Sequence, residues 1–259
     1  MPAGAVVKVG GSLFSEVPRL VQEITGAGRP VLVVPGGGQY ADLIRMLQMP
    51  EEQSHWMAIA AMEQFGWYIA VHGMETVDEI GTPEGVRVLL PYRVMRIEDP
   101  LPHTWDVTSD SIAAWVAQRL GLPLLLLKAV EGLTRDGILQ HRVSTAFPCR
   151  EVDPYFLPYV LSQRIPVMVA NGRVAGRTAA WLRGEEVPGT VIGRPGNTRR
   201  STRLIGWGGG PSQSTFPHQG RAQREGAGPL PDPPPVRIIL SMVIPPYSDQ
   251  TEEWRPDRD

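Results

Sequence analysis

Short apolar runs alternate with helix-like segments over the first 193 residues of the chain. Most of these runs show no alternation of apolar and polar positions, which is typical of strands that helices cover on both faces. The pattern predicts strands over residues 5–9, 31–34, 86–90, 124–127, 167–170 and 190–192. Apolar positions at helical spacing predict helices over residues 17–25, 40–47, 53–71, 110–120 and 174–183. This order of elements predicts an α/β domain with a mainly parallel sheet.

The composition changes abruptly after residue 193. Residues 194–259 are rich in Gly, Pro, Arg and Ser, and their one sustained apolar run, residues 236–244, is too isolated to form a core. Such a composition favours disorder over a packed domain. We therefore predict one folded domain over residues 1–193 and a tail over residues 194–259 that is disordered or an artefact of the reading frame.

Charge and cysteine content exclude several function classes. The 259 residues carry 25 basic and 27 acidic side chains, so no whole-molecule field recruits nucleic acid or an anionic membrane. One cysteine, Cys149, excludes an intramolecular disulfide framework and a multi-cysteine zinc site. The N-terminus lacks a signal-peptide pattern, and no apolar run reaches the ~18 residues of a membrane helix. We expect a cytoplasmic protein without nucleic-acid or membrane partners.

Only two of the 25 basic residues are lysines, and the first of them precedes a glycine turn. Lys8 lies in a predicted buried strand, where a lysine is costly unless its ammonium meets an anion. Gly10, Gly11 and Ser12 follow, and the backbone amides of such a turn converge on phosphate oxygens. The segment predicts a phosphate site with a cation beside it, although a plain strand-to-helix turn remains an alternative.

A second glycine cluster, Gly36, Gly37 and Gly38, follows the second predicted strand. Three glycines let the backbone approach a ligand closely, again just before a helix. With Ala41 they also fit the loose dinucleotide pattern G-x-G-x-x-A, but the acidic residue that this pattern requires about 20 positions later is absent. Two glycine loops at neighbouring strand ends therefore favour two phosphate-bearing ligands that face each other.

Residues 101–112 form a third cluster, which is dense in polar groups and holds His103, Trp105, Asp106 and Asp110. Capping of the next helix by Ser109 or Asp110 explains one carboxylate but not the density of polar side chains. A carboxylate near phosphates orients a lysine or a magnesium shell.

The second lysine, Lys128, ends another buried strand and offers a further cation to a transferring phosphoryl group. Asn171, Gly172, Arg173 and Arg177 lie at a later strand-to-helix junction. They contact a nucleotide or acceptor phosphate, or they form an ordinary turn; the sequence leaves both interpretations open.

In combination and order, these motifs resemble the amino acid kinase superfamily over roughly residues 4–193. The matching segments are Lys8-Val-Gly-Gly-Ser12, Gly36-Gly-Gly38, Thr108-Ser-Asp110 and Val130-Glu-Gly132. The resemblance implies a three-layer αβα sandwich, a kinase activity that uses ATP and Mg²⁺, a small-molecule phosphate acceptor and a homo-oligomer. Residues 101–111 and Asn171-Gly-Arg173 are similar to a branch of the superfamily from methanogens and methylotrophs. This branch includes a kinase of methanofuran biosynthesis. There, an aminomethylfuran-methyl phosphate is converted to its diphosphate.

The resemblance also implies a role for each candidate residue, and it implies no protein ligand for a metal. The catalytic residues would be Lys8 and Asp110, with Asp110 orienting the lysine. The cofactor-binding residues would be Gly10, Gly11, Ser12, Lys128 and Gly132. The substrate-binding residues would be Gly36, Gly37, Gly38, His103, Trp105, Asp106, Asn171 and Arg173.

One departure from the superfamily leaves the chemistry open. The lysine that many relatives carry in a late glycine-rich loop is missing, and Arg173 or Arg177 is a candidate substitute. A uridylate- or acetylglutamate-type kinase of the same superfamily therefore remains an alternative. So does a noncatalytic oligomer that binds nucleotides or anions on the same fold.

Overall fold

Each of the six strands predicted from the sequence is present in the computed structural model, which describes residues 4–193. The predicted tail over residues 194–259 lies outside the described residues. Four further short strands, β3, β6, β7 and β8, escaped prediction because two or three residues are too few to show a period. The strands are β1 (Ala5–Val9), β2 (Val31–Pro35), β3 (Glu75–Val77), β4 (Val86–Leu89), β5 (Leu124–Lys128), β6 (Thr134–Arg135), β7 (Ile138–Leu139), β8 (Arg142–Val143), β9 (Val167–Asn171) and β10 (Thr190–Ile192).

The five predicted helices are also present, and two short helices accompany them. The helices are α1 (Val17–Gly26), α2 (Gly38–Met46), α3 (Glu51–Ala70), α4 (Pro91–Glu98), α5 (Ser109–Leu120), α6 (Phe156–Ser162) and α7 (Arg177–Leu182). A 3₁₀ helix, Gly11–Glu16, leads from the first glycine turn into α1. Helices α4 and α6 were missed because each contains a proline and gives barely two turns of periodicity. Helix α7 has only six residues, but it lies within the predicted segment 174–183 and contains no proline.

Eight strands form one mainly parallel sheet in the order β3-β4-β2-β1-β5-β9-β10-β8. The strands from β3 to β9 in this order are parallel, β10 is antiparallel to β9, and β8 is parallel to β10. Strand β1 lies between β2 and β5, so Lys8 is in register with Val34 and Leu126. The carboxyl ends of β1, β2, β5 and β9 therefore share one edge, and the predicted phosphate-binding segments follow these ends.

Alternate residues of each central strand belong to two separate apolar cores, one on each face of the sheet. Helices α4, α5 and α6 contribute to the first core, α1 and α7 contribute to the second, and α3 reaches both. The first core includes Val6, Leu32, Leu124 and Val169, and the second includes Val7, Val33, Leu125 and Met168. This confirms the three-layer αβα sandwich.

Helix α3 combines buried and exposed apolar positions. Phe65 is fully buried, whereas Trp67 and Val71, beside the end of the helix, are 57% and 75% exposed. Packing within the monomer therefore accounts for the apolar residues on the buried side of this segment, but not for those on its exposed side. Among residues 4–193, no helix has both the length and the apolarity that a bilayer crossing requires.

His55 on α3 lies in a small aromatic cluster that also contains His103. The His55 and His103 rings stack with centroids 4.3 Å apart, and Trp56 meets both rings edge-on. Asp99 Oδ1 lies 2.6 Å from His103 Nε2, whereas His55 Nε2 has no hydrogen-bond partner among the described residues. Burial, followed by His103, lowers the pKa of His55 to about 4, while Asp99 opposes the shift. His55 is therefore neutral at pH 7.

We predict that His55 makes stability depend on pH below 6.5. An unfolded histidine takes up a proton near pH 6.5, whereas the folded His55 does so only near pH 4. Stability is therefore complete above pH 6.5, and it falls by about 2–3 kcal/mol as the pH drops through this window. Urea unfolding between pH 4 and 7 measures the fall, which should shrink in His55→Phe. The exposed His141 provides the control, since His141→Gln should retain the wild-type profile; an unchanged profile in His55→Phe would contradict the assignment.

Candidate active site

The carboxylate of Asp110 lies between the two lysines of the chain. Its Oδ1 is 2.6 Å from Lys8 Nζ, and its Oδ2 accepts a hydrogen bond of 2.6 Å from Lys128 Nζ. The side chains of Lys8 and Asp110 are each 4% exposed, and that of Lys128 is 20% exposed. Two ammonium groups thus share one buried carboxylate, which leaves one positive charge in excess.

Three elements bring this cluster together. Lys8 is the fourth residue of β1, Lys128 is the last residue of the adjacent β5, and Asp110 is in the first turn of α5. Thr108 is the N-cap of α5, and its side chain accepts a hydrogen bond from the Asp110 amide. The prediction that Ser109 or Asp110 caps the helix is therefore wrong, because Thr108 holds the cap position and Asp110, in the first turn, pairs its carboxylate with the lysines.

The protonation states of the cluster follow from burial and from the two-to-one ratio of charges. Burial raises the pKa of Asp110, but the two lysines outweigh burial and hold this pKa below its usual range. Burial lowers the pKa of Lys8, and the second ammonium of Lys128 adds to this effect while Asp110 opposes it. An anion that enters beside Lys8 therefore stabilises its charged form, which favours phosphate at this place.

The two glycine loops touch each other directly beside the cluster. A Cβ atom added to Gly11 would overlap the Gly38 backbone, and one added to Gly36 would lie 2.8 Å from the Gly11 nitrogen. Gly38 also has a φ of 54°, which favours glycine. Only glycines permit this approach, and the contact brings the ends of β1 and β2 to a single cleft.

The cleft has a volume of about 430 Å³ and contains most of the predicted catalytic and phosphate-binding residues. Its lining combines two groups of residues: those that the sequence analysis named as candidates, and those that it did not. The former are Lys8, Gly11, Ser12, Gly37, Gly38, Trp105, Asp110 and Lys128, and the latter include Asp42, Arg45, Arg150, Glu151 and Asp153.

Backbone amides at the start of two helices face the same region. Gly11 and Ser12 begin the 3₁₀ helix, whose first backbone bond runs from Leu13 N to Gly10 O, so their own amides precede it. The amides of Gly37 and Gly38 likewise precede the first bond of α2. Such helix starts supply N–H donors for phosphate oxygens.

Two of the predicted glycine donors are used within the fold. The amide of Gly10 donates to Leu127 O at 3.2 Å, and the amide of Gly36 donates to Val9 O at 2.9 Å. These bonds hold the loops at the strand ends. Gly132 is buried against Thr190, so its lack of a side chain serves packing at that point.

The remaining predicted residues lie outside the cleft lining. His103 belongs to the aromatic cluster beside α3, and Asp106 is exposed to solvent. Asn171 Nδ2 donates to Glu131 Oε1 at 2.7 Å and, through its Oδ1, accepts from the Arg173 amide at 2.9 Å. Arg177 donates to Glu131 Oε2 at 2.7 Å. The late-loop arginines thus lie in a network around Glu131, and it is Lys128 that shares Asp110 with Lys8.

Asp153 is the buried carboxylate that the sequence did not reveal. Its two oxygens accept four hydrogen bonds of 2.6–3.1 Å, from the amides and hydroxyls of Thr108 and Ser111. Burial raises the pKa of Asp153, and Asp110 raises it further, while these hydrogen bonds oppose the rise. Asp153 thereby fixes the first turn of α5 on both sides of Asp110. No local signal marks it, because its partners lie more than 40 positions away.

The donor set of the cleft fits a chain of phosphates. The excess ammonium charge and the helix-start amides suit phosphate oxygens, while the carboxylates of Asp110 and Asp153 are already engaged. The described residues contain no group of three or more side chains suited to hold a metal ion. Phosphate oxygens that bind in the cleft would themselves offer ligands to Mg²⁺.

We predict that Asp153→Ala lowers the free energy of unfolding by about 2–4 kcal/mol, because four donors lose their acceptor and two of them are backbone amides. Urea unfolding at pH 7, followed by circular dichroism, measures this change. Asp106→Ala is the control: it removes an exposed carboxylate from the loop that leads into α5 and should change stability by less than about 0.5 kcal/mol. Equal stability of the two variants would show that the Asp153 contacts do not anchor α5.

Comparisons with known proteins address the fold and the sequence of the chain. No family model matches the chain. A curated relative, the [5-(aminomethyl)furan-3-yl]methyl phosphate kinase of Methanocaldococcus jannaschii, is 25% identical over 144 residues, which cover 49% of this chain and 67% of the relative.

Two solved structures share the fold. An isopentenyl phosphate kinase superposes with a TM-score of 0.51 at 17% identity, and the uridylate kinase of Archaeoglobus fulgidus with a TM-score of 0.56 at 18% identity. Each match covers 73% of this chain and 99% of the other protein. In fold and in sequence, the chain is thus similar to kinases of the amino acid kinase superfamily, which are phosphotransferases.

Proposed function

We propose that the cleft transfers the γ-phosphoryl group of ATP to a small phosphate monoester. The observation that carries this proposal is the buried Asp110 carboxylate shared by Lys8 and Lys128, beside two glycine loops in direct contact. Phosphoryl transfer requires little covalent chemistry from the protein. It requires fixed positive charge where the phosphate oxygens gain negative charge, and this cluster supplies it.

In the proposed reaction, an oxygen of the acceptor phosphate attacks the γ-phosphorus while the bond to the β–γ bridging oxygen breaks and ADP leaves. Lys8 and Lys128 neutralise the charge that develops on the transferring group, and Asp110 keeps both ammonium groups in place. The amides of Gly11 and Ser12 hold one phosphate, and those of Gly37 and Gly38 hold the other. Mg²⁺ that enters with the nucleotide would supply further charge neutralisation, while Lys8 and Lys128 supply that of the chain. The chain positions and stabilises, without a covalent intermediate.

The acceptor that we propose is [5-(aminomethyl)furan-3-yl]methyl phosphate, which the reaction converts to its diphosphate in methanofuran biosynthesis. The name of the curated relative supports this acceptor. The names of the two structural neighbours, isopentenyl phosphate kinase and uridylate kinase, also specify phosphate monoesters. A cytoplasmic location and a homo-oligomeric state remain predictions from the sequence.

Phosphorus NMR of the purified chain with ATP and Mg²⁺ tests the function. We expect a new diphosphate signal with the furan substrate and none with uridylate or acetylglutamate. A product with uridylate or acetylglutamate alone would replace the acceptor but keep the class. ATP binding without transfer to any of the three acceptors would contradict the proposal and favour a noncatalytic nucleotide-binding protein.

Lys8→Ala should lower kcat by about 100- to 10 000-fold, because the transferring group loses one of its two fixed cations. The fold should persist, since Lys128 still pairs with Asp110. The control is Arg119→Met, which removes an exposed arginine paired with Glu98 away from the cleft and should retain the wild-type rate. Steady-state kinetics measures kcat of both variants, and circular dichroism checks that they are folded. A near-normal kcat in folded Lys8→Ala would contradict the catalytic role of Lys8.

A further inference from the structure

Arg45 is a cation of the cleft that sequence reasoning did not single out. It lies in the last turn of α2 and lines the cleft with Gly38 and Ala41. Positions 38, 41 and 45 recur at helical spacing and share one face of α2. Because helical side chains lean toward the N-terminus of their helix, Arg45 extends along this face toward the second glycine loop.

The Arg45 guanidinium lies over the ring of Trp105. The central carbon of the guanidinium is 4.5 Å from the centroid of the indole ring, and Trp105 also lines the cleft. A stacked guanidinium keeps its N–H groups at the edge of the stack, where they remain available as donors. The stack therefore orients the cation without consuming its hydrogen-bonding capacity.

Arg45 is also only weakly neutralised by the protein. Within residues 4–193 its ion-pair partner is Asp42, whose carboxylate lies 3.9 Å away, and the two side chains are 55% and 73% exposed. An exposed pair at that distance contributes little. Lys8 and Lys128, in contrast, are already bound to Asp110. Arg45 is thus a cleft cation with donors left for an incoming anion.

We propose that Arg45, stacked on Trp105, binds the phosphate group of the acceptor through two parallel N–H···O hydrogen bonds. A planar guanidinium matches the spacing of two phosphate oxygens, which a lysine ammonium does not. Trp105 is a positioning residue that acts through Arg45. The inference rests on the proposed function, because it assigns the acceptor side of the same cleft and makes a phosphate on the acceptor a requirement for tight binding.

Calorimetric titration of the full chain without nucleotide tests this assignment apart from turnover. The probes are the aminomethylfuran-methyl phosphate, uridylate and isopentenyl phosphate. For each probe that the wild type binds, Arg45→Met should weaken binding by about 10- to 100-fold. Arg45→Lys should recover only part of the loss, since it restores the positive charge but not the two parallel N–H donors of a guanidinium. Arg93→Met, which removes an exposed arginine paired with Asp78 and Glu79 outside the cleft lining, should bind like the wild type.

Trp105→Leu separates positioning from direct contact. It should weaken binding less than Arg45→Met does, and the double variant should bind no more weakly than Arg45→Met alone. In steady-state assays, Arg45→Met should raise the KM of the acceptor and leave the KM of ATP unchanged.

Wild-type affinity in Arg45→Met, a raised KM for ATP instead of the acceptor, or a wild type that binds none of the three probes would each overturn the assignment. Binding that depends on Arg45 in a protein that transfers no phosphoryl group would support it, while the proposed kinase function would fail.

Discussion

The cleft depends on one buried carboxylate that pairs with two lysines. Removing three charged groups from water is costly, and only close pairing offsets the cost. Lys8 and Lys128 reach Asp110 because β1 and β5 are adjacent parallel strands that end at the same edge. The helix that carries Asp110 is in turn fixed by Asp153. A central sheet, one helix start and one distant loop thus converge on a cluster with excess positive charge.

The glycine loops extend this cluster into a site for anions. Their direct contact at Gly11 and Gly38 leaves no room for side chains, so backbone amides approach the place where Lys8 emerges. The excess charge and the amides act on the same region. This combination suits a group whose negative charge increases during reaction, because fixed dipoles and cations need no reorganisation at that moment.

The sheet and the walls of the cleft differ in what they contribute to the site. The sheet is common to this chain and to kinases with which it shares only 17–18% of its residues. Arg45, Trp105 and Arg150 stand on a helix end and on loops around the same strand ends. A shared fold fixes where the strand ends meet, whereas the loops and helix ends around them decide which molecule binds there.

The sequence by itself determined the six main strands, five of the seven α-helices described and the two strand-end lysines, because these features follow from local periodicity and from the cost of burying charge. It also placed Asp110 and the glycine loops among the site candidates. Only the tertiary structure decided that Asp153 anchors α5, that Arg45 meets Trp105, and that His103 stacks on His55 outside the cleft lining. Each of these contacts joins segments that are distant in sequence. The local pattern of residues does not specify which distant side chains the packing brings together.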